Sequence, residues 1–201
     1  RHKSVQFPVR KRRELQQAFS QCQHRGPDNS VFKTINSHLC LGFHRLTIVG
    51  MSDKGNQPMC LEIYPSLYLV CNGEIYNYKE LARENNFTLT TGSDCEIILH
   101  MYRRFGIENT VSQLDGVFAF VLYDGERQVL QVARDPFGVR SLYSGRCDND
   151  DIMFASEIKS LQSIAKDIEP FLPGYYGTYT MEGLGSMTRY YLYDYSELMF
   201  S

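Results

Sequence analysis

Apolar and polar positions change period several times along this chain, and each change predicts an element. Over residues 11–22, Leu15, Ala18, Phe19 and Cys22 recur at helical spacing among good helix formers, which predicts a helix with one buried face. Gly26-Pro27-Asp28 is expected to stop it. Residues 38–49 read as a strand, with Leu39, Leu41 and Phe43 followed by Leu46, Ile48 and Val49. Residues 67–71 form a short apolar run of the kind buried on both faces of a sheet, and Asn72-Gly73 is expected to break it. A helix is expected over 76–84, capped by Asn77 with Glu80 three residues on. Another begins at Ser93 or Asp94 and buries Ile97, Ile98, Met101 and Tyr102. Residues 117–123 are a second core strand, Asp124-Gly125 a hairpin turn, and 128–133 the return. Leu142-Tyr143 and Ile152–Ala155 predict one further hairpin, with Ser156 capping a short helix that ends at Leu161. Beyond Pro173-Gly174 the chain is strand-like and rich in tyrosine (Tyr175, Tyr176, Tyr179, Tyr190, Tyr191, Tyr193, Tyr195). Hairpins alternating with capped helices predict an α+β layered fold, stacked antiparallel sheets covered by helices.

Composition narrows the class. With 201 residues, 43% of them hydrophobic and 13% aromatic, the chain can fill the core of one large domain and is not disordered. A net charge of −2 gives no bulk electrostatic reason to expect nucleic acid or an anionic membrane as partner. The dense basic run Arg10-Lys11-Arg12-Arg13 reads as a solvated helix start. No apolar run approaches the ~18 residues of a membrane helix, and no signal-peptide core follows the first residues, so a cytoplasmic chain is expected. The six cysteines, at 22, 40, 60, 71, 95 and 147, make no Cys-x-x-Cys pair and no zinc spacing with the five histidines. They read as small buried thiols of a reducing compartment. No phosphate loop, dinucleotide fingerprint or Gly-x-Ser-x-Gly elbow occurs.

Four short segments carry candidate chemistry. Arg45 offers a planar fork for a carboxylate, which Lys would not reproduce. Asp94 offers a seat for an ammonium while also being placed to cap a helix. Asn72 and Gly73 supply an amide and a backbone N–H that suit an oxyanion, since Gly lets backbone approach a substrate closely. Glu74 can accept from a substrate amine or amide. Plainer readings stand beside these: a surface ion pair for Arg45, a cap for Asp94, a turn for Asn72-Gly73. His24 and His44 each adjoin an arginine and are expected to serve as structural hydrogen-bonding groups. The kit describes a pocket for a free amino acid with a reactive side-chain carbonyl, and no nucleophile accompanies it.

The segments HRGPD (24–28), GFHRLTIV (42–49), NGEIYNYKEL (72–81), TGSDCEIILHMY (91–102), LDGVFAFVLYD (114–124), ARDPFGVRSLY (133–143), SEIKSL (156–161) and EPFLPG (169–174) resemble, in order and spacing, the glutaminase domain of class II glutamine amidotransferases, in particular the glutamine-hydrolysing asparagine synthetases. The clearest match runs over roughly residues 15–175, and residues 1–201 are taken as one such domain. The resemblance implies a four-layer αββα N-terminal-nucleophile sandwich of two antiparallel sheets. It implies that glutamine is held at its carboxylate by Arg45, with backbone help from Leu46, Thr47, Ile48 and Val49. Asp94 and Glu74 would hold the amino end, and Asn72 and Gly73 the tetrahedral oxyanion. The implied reaction is glutamine to glutamate and ammonia, through attack by an N-terminal Cys thiolate whose own α-amino group is the base. No cofactor is implied in this domain. ATP and Mg would serve a C-terminal synthetase domain that amidates aspartate; that domain, glutamine and a second copy in a homodimer are the implied partners.

The sequence departs from the family in two places. Residue 1 is Arg and no Cys occurs in residues 1–21, while Cys22 sits at the end of a predicted helix without a free amine. The family's first strand is either absent or replaced by Ser4–Val9. The chain as written is therefore expected to bind glutamine without hydrolysing it. No Ser-Gly-Gly-x-Asp-Ser loop follows residue 175, so the synthetase domain is absent from these residues. Three readings stay open: the glutaminase unit of an asparagine synthetase, a catalytically dead glutamine-sensing or scaffold module of the same fold, and an amidotransferase serving a sugar-phosphate or phosphoribosyl acceptor. The Tyr-rich tail is expected to pack on a neighbouring domain.

Overall fold

A computed structural model of the chain describes residues 9–26, 29–45, 56–148, 150–181 and 185–192. Along the chain these form α1 (Val9–Ser20), a one-turn 3-10 helix (Gln23–Arg25), β1 (Asn29–Thr34), β2 (Cys40–Arg45), β3 (Leu67–Ile75), α2 (Tyr78–Glu84) and α3 (Glu96–Gln113). There follow β4 (Gly116–Asp124), β5 (Val129–Arg134), β6 (Tyr143–Arg146), β7 (Ile152–Ala155), α4 (Lys159–Gln162), β8 (Lys166–Pro170), β9 (Tyr175–Thr180) and β10 (Gly185–Arg189). All strand pairings are antiparallel: a five-stranded sheet in the order β10-β9-β5-β4-β3, a three-stranded sheet β7-β6-β8, and the β1-β2 ribbon.

Strand alternation sorts the core into layers. On one face of the large sheet Leu67, Leu69, Cys71 and Ile75 of β3 and Phe118, Phe120 and Leu122 of β4 pack with Ile97, Ile98 and Met101 of α3 and Leu81 of α2. On the other face Ala119, Tyr123, Leu130 and Val132 meet Leu39, Leu41, Leu142 and Phe171, with Phe154 of β7 beside them. Helix α1 contacts α4, and α4 contacts β7 and β8, so helices close this side too. The arrangement is helix–sheet–sheet–helix, as the sequence implied, with the second sheet layer built in two pieces among the described residues. No helix among them is long and apolar enough to cross a membrane.

Several local expectations are corrected. Asn72-Gly73 does not break β3, which pairs with β4 without interruption from Leu67↔Asp124 to Ile75↔Gly116. Gly73 makes this possible, because a Cβ there would lie 2.1 Å from the Val117 carbonyl oxygen of the facing strand. Asn77 stands at the start of α2 but does not cap it with its side chain. Its amide instead donates to Gln113 O (2.8 Å) and accepts from Asp115 N–H (3.0 Å), tying α2 to the end of α3. Neither Ser93 nor Asp94 caps α3, and Ser156 does not cap α4. Cys22 lies just beyond α1 rather than inside it, and the hairpin turn after β4 spans residues 125–128 rather than two residues. Cys60 is exposed, unlike the buried Cys22, Cys71 and Cys95. Pro27, Asp28, Ser4 to Pro8 of the proposed replacement strand, and Tyr193 and Tyr195 lie outside the described residues, whereas Val9 belongs to α1.

Candidate functional site

Between the large sheet and the second layer lies a cavity of about 1020 Å³. That is the upper end of the range for small-molecule sites. Arg45 at the end of β2, Asn72, Gly73 and Glu74 near the end of β3, and Asp94 ahead of α3 all line it. The structure thus gathers every described residue singled out for substrate or oxyanion binding around one hollow. Leu46, Thr47, Ile48 and Val49 lie outside the described residues.

Alternation along β3 explains the placement. Cys71 and Ile75 are buried on the helix side, so Asn72 and Glu74, each one residue displaced, share the opposite face. The strand is pinned just before this pair by Gln57, whose Oε1 accepts from Cys71 N–H (2.5 Å) and whose Nε2 donates to Cys71 O (3.0 Å). Gln57 therefore acts as a miniature edge strand that fixes the position of Asn72. The Asn72 amide nitrogen lies 3.5 Å from Ser156 Oγ, across the cavity wall.

Asp94 leaves the helix start and turns to the sheet. Its Oδ2 accepts from Ile75 N–H at 2.5 Å, while Cys95 occupies the N-cap position with no side-chain bond. Oδ1 makes no hydrogen bond among the described residues. The loop leading to Asp94 is fixed by Glu96, which is fully buried. Glu96 accepts from Thr90 N–H (2.8 and 2.9 Å), Thr90 Oγ1 (3.1 Å), Thr91 N–H (2.7 Å) and Thr91 Oγ1 (2.6 Å), with His100 Nε2 3.3 Å away. Burial pushes its pKa up, but the Thr91, Thr90 and His100 hydrogen bonds outweigh burial and hold the carboxyl below its ordinary value.

Two guanidinium groups share the cavity lining with Glu74 and Asp94. Arg45 Nη1 donates to Asn56 Oδ1, and Arg140 Nη2 lies 3.5 Å from Glu74 Oε1. Gln57, Asn56, Glu96 and Arg140 were not singled out from the sequence, and Ser156 only as a helix cap. Each acts through a partner distant along the chain or through a common polar residue in a loop, and no local motif announces that. Glu96 alone carried a signal, as an acidic residue in an otherwise apolar helix face.

Two of the thiols at the cavity, Cys22 and Cys71, are not poised for attack. Contact with the Cys95 thiol and burial raise Cys71 well above the ordinary thiol range; negative charge at Cys95 and Asp94 adds to this, and Arg140 partly offsets it. Burial raises Cys22 as well, against a 2.6 Å contact with Ser160 Oγ that lowers it. Cys22 and Cys71 are thus kept as thiols, which are poor nucleophiles. The two histidines take structural roles, as expected. His44 stacks on Phe19 (3.8 Å between centroids) and bonds through its ring nitrogens to Ser30 Oγ and Phe19 O, both at 2.8 Å. His24 sits 3.3 Å from Glu157 and 3.0 Å from Lys159 Nζ. Among the described residues no cluster of three or more His, Cys, Asp or Glu is arranged to hold a metal.

Comparison with known proteins agrees with this geometry. The sequence pattern of one family, the glutamine amidotransferase domain, matches residues 3–190. Asparagine synthetase [glutamine-hydrolyzing] of Gallus gallus is 42% identical over 172 residues, which is 82% of this chain and 30% of that protein. The Homo sapiens asparagine synthetase is 42% identical over 161 residues, 76% of this chain and 28% of that protein. The chain thus spans under a third of the length of these relatives. Among solved structures, the glutamine phosphoribosylpyrophosphate amidotransferase of B. subtilis aligns with a TM-score of 0.66 at 26% identity, over 77% of this chain and 35% of the other. A second structure, described as the allosteric regulatory enzyme of purine biosynthesis, aligns with a TM-score of 0.67 at 26% identity and the same coverage.

Proposed function

Since the chain belongs to the glutamine amidotransferase family, we propose that its cavity binds glutamine and that the chain is the glutamine-handling unit of an asparagine synthetase. The observation that carries this is the convergence of Arg45, Asn72, Gly73, Glu74 and Asp94 on one hollow. Arg45 takes the α-carboxylate, and its contact with Asn56 holds the guanidinium at the end of β2. The α-ammonium sits between Glu74 and Asp94 Oδ1, Asp94 being anchored by the Ile75 N–H. The carboxamide reaches toward Asn72 and Gly73, whose amide and N–H stabilise negative charge on its oxygen as it becomes tetrahedral. The glutaminase step requires no cofactor here.

Hydrolysis needs a thiolate and a proton acceptor beside Asn72. Cys22 and Cys71 do not supply it, since burial helps keep both as thiols. These two thiols accordingly take no part in the attack, and the cavity residues bind and orient the glutamine. In a parent protein with a nucleophilic N-terminal Cys and a synthetase domain using ATP and Mg, the ammonia would amidate aspartate; a cytoplasmic location and a homodimeric state belong to the same proposal.

Calorimetric titration with glutamine, beside an ammonia assay, tests the proposal. Arg45→Ala is expected to weaken binding by about 100-fold, the worth of a lost charge-assisted bidentate contact. An unchanged affinity removes the assigned role of Arg45. Ammonia release that is lost on Cys22→Ala or Cys71→Ala contradicts the account of these thiols.

A further inference from the structure

The segment after β5 is a tightly knotted loop that sends one side chain into the cavity. Asp135, fully buried, accepts from the N–H groups of Phe137 (3.0 Å), Val139 (3.1 Å) and Arg140 (3.1 Å). Arg134 donates to the carbonyls of Arg140 (2.7 Å), Gly138 (2.8 Å) and Phe171 (2.7 Å). Gly138, at φ 64°, closes the turn where a Cβ would lie 2.7 Å from Pro173 and 3.1 Å from the Arg134 guanidinium. These two charged residues are thus occupied in fixing backbone, and Arg140, held at both its N–H and its carbonyl, reaches the cavity lining.

Three observations bear on what Arg140 does there. Its Nη2 is 3.5 Å from Glu74 Oε1, and the side chains are 33% and 63% exposed respectively. Its Nε is the one buried side-chain nitrogen or oxygen without a hydrogen-bond partner among the described residues. Native proteins leave few such donors unpaired. Finally, Arg45 and Arg140 share the lining with the carboxylates of Glu74, Asp94, Asp150 and Asp151, so both signs of charge are present for a zwitterion.

We infer that Arg140 is a positioning residue of the site: it holds the Glu74 carboxylate over the cavity, so that Glu74 and Asp94 together seat the ligand's α-ammonium. The inference rests on the reading of the cavity as a glutamine site. Glu74 is a flexible, mostly exposed carboxylate, and without a cationic neighbour it would be drawn to water and away from the like charge of Asp94. Arg140, whose backbone is locked, fixes where that carboxylate sits. Ligand binding draws the carboxylate inward, toward the buried Nε.

The test is calorimetric titration of the full chain with two ligands, glutamine and 4-carbamoylbutanoate, which is glutamine without its α-ammonium. Arg140→Ala is expected to weaken glutamine binding about fivefold, as for a half-exposed ion pair, and to leave the deamino ligand unchanged. Arg140→Lys should restore most of the loss. In a Glu74→Ala background, Arg140→Ala should have no further effect on glutamine. Equal weakening of both ligands would mean a merely structural role, and no weakening of either would mean none; both results overturn the inference. The underlying site reading is judged separately by Arg45→Ala, which must weaken both ligands, since both keep the α-carboxylate. If that substitution changes neither, or the unsubstituted chain binds neither, the glutamine reading falls and the role of Arg140 with it.

Discussion

Glu96 and Asp94 are two residues apart yet are built for opposite purposes. Asp94 keeps one oxygen for the cavity, whereas Glu96 is enclosed and spends both oxygens on Thr90 and Thr91. The Glu96 pKa is lowered because those hydrogen bonds overcome the burial that raises it. The sign of the pH effect follows. A carboxyl held below its unfolded value, about 4.3, contributes stability that is fully present above that value and is lost as pH falls through the lower folded one. Glu96→Ala leaves buried N–H and hydroxyl donors without an acceptor, and is expected to cost about 3 kcal/mol near neutral pH. Urea unfolding across pH should show the gap between parent and variant narrowing below about pH 4. A gap that stays constant from neutral to acidic conditions would mean that the ionised carboxyl is not what holds the loop. Because this loop carries Asp94, glutamine affinity should fall in the same variant.

Elements position the site through close approach of backbone more than through caps. Gly73 faces β4 so tightly that a methyl group would meet a backbone carbonyl at 2.1 Å, and neither strand can yield without opening the ladder. Gly92, at φ 75°, has nothing within 4 Å of the same added atom, so its substitution costs only the conformational penalty. Gly73→Ala should therefore cost about 2–3 kcal/mol, against about 1 kcal/mol for Gly92→Ala, by chemical denaturation. Equal costs would mean that the strands part easily at this point. The same contrast explains what the sequence disclosed. Helices α1 and α3 and the hairpins β4–β5 and β6–β7 were legible because their apolar periods are long or sharply bounded. Strands β1 and β8 were not, since Asn29–Thr34 and Lys166–Pro170 are mostly exposed and lack alternation. Caps were misassigned at Asn77, Ser93, Asp94 and Ser156. Asn77 and Asp94 have the right chemistry, but partners on other elements take their polar atoms, and no local pattern records that competition. Arg45, Asn72, Gly73, Glu74 and Asp94 could be picked out by residue type, whereas Arg140 depends on a pairing with Glu74 that only the fold creates.

At the scale of the whole molecule, the cavity separates layers that are joined mainly by apolar contact, with a few polar links such as Asn36 Nδ2 to Tyr123 Oη (2.9 Å). Leu39 and Leu41, beside β1–β2, and Phe154 and Phe171, beside the three-stranded sheet, pack on the large sheet, and the hollow opens between these anchor points. A ligand held at once by Arg45 on β2, Asn72 on β3 and Asp94 ahead of α3 would tie the ribbon, the large sheet and the helix layer together. It would bind the folded chain and not the unfolded one, so it must stabilise by mass action. At 100 times its dissociation constant glutamine should add about 2.7 kcal/mol, which raises the melting temperature of a domain this size by roughly 5–10 °C. Arg45→Ala, by weakening binding about 100-fold, should cut the rise to roughly 1 °C at the same glutamine concentration, while Gly106→Ala, strained only by its φ of 76° and away from the cavity lining, should keep it. A melting temperature indifferent to glutamine in the unsubstituted chain would mean that Arg45, Glu74, Asp94 and Arg140 serve the fold and not a ligand. An undiminished rise in Arg45→Ala would move the carboxylate contact to another cation, of which Arg140 is the one already lining the cavity among the described residues.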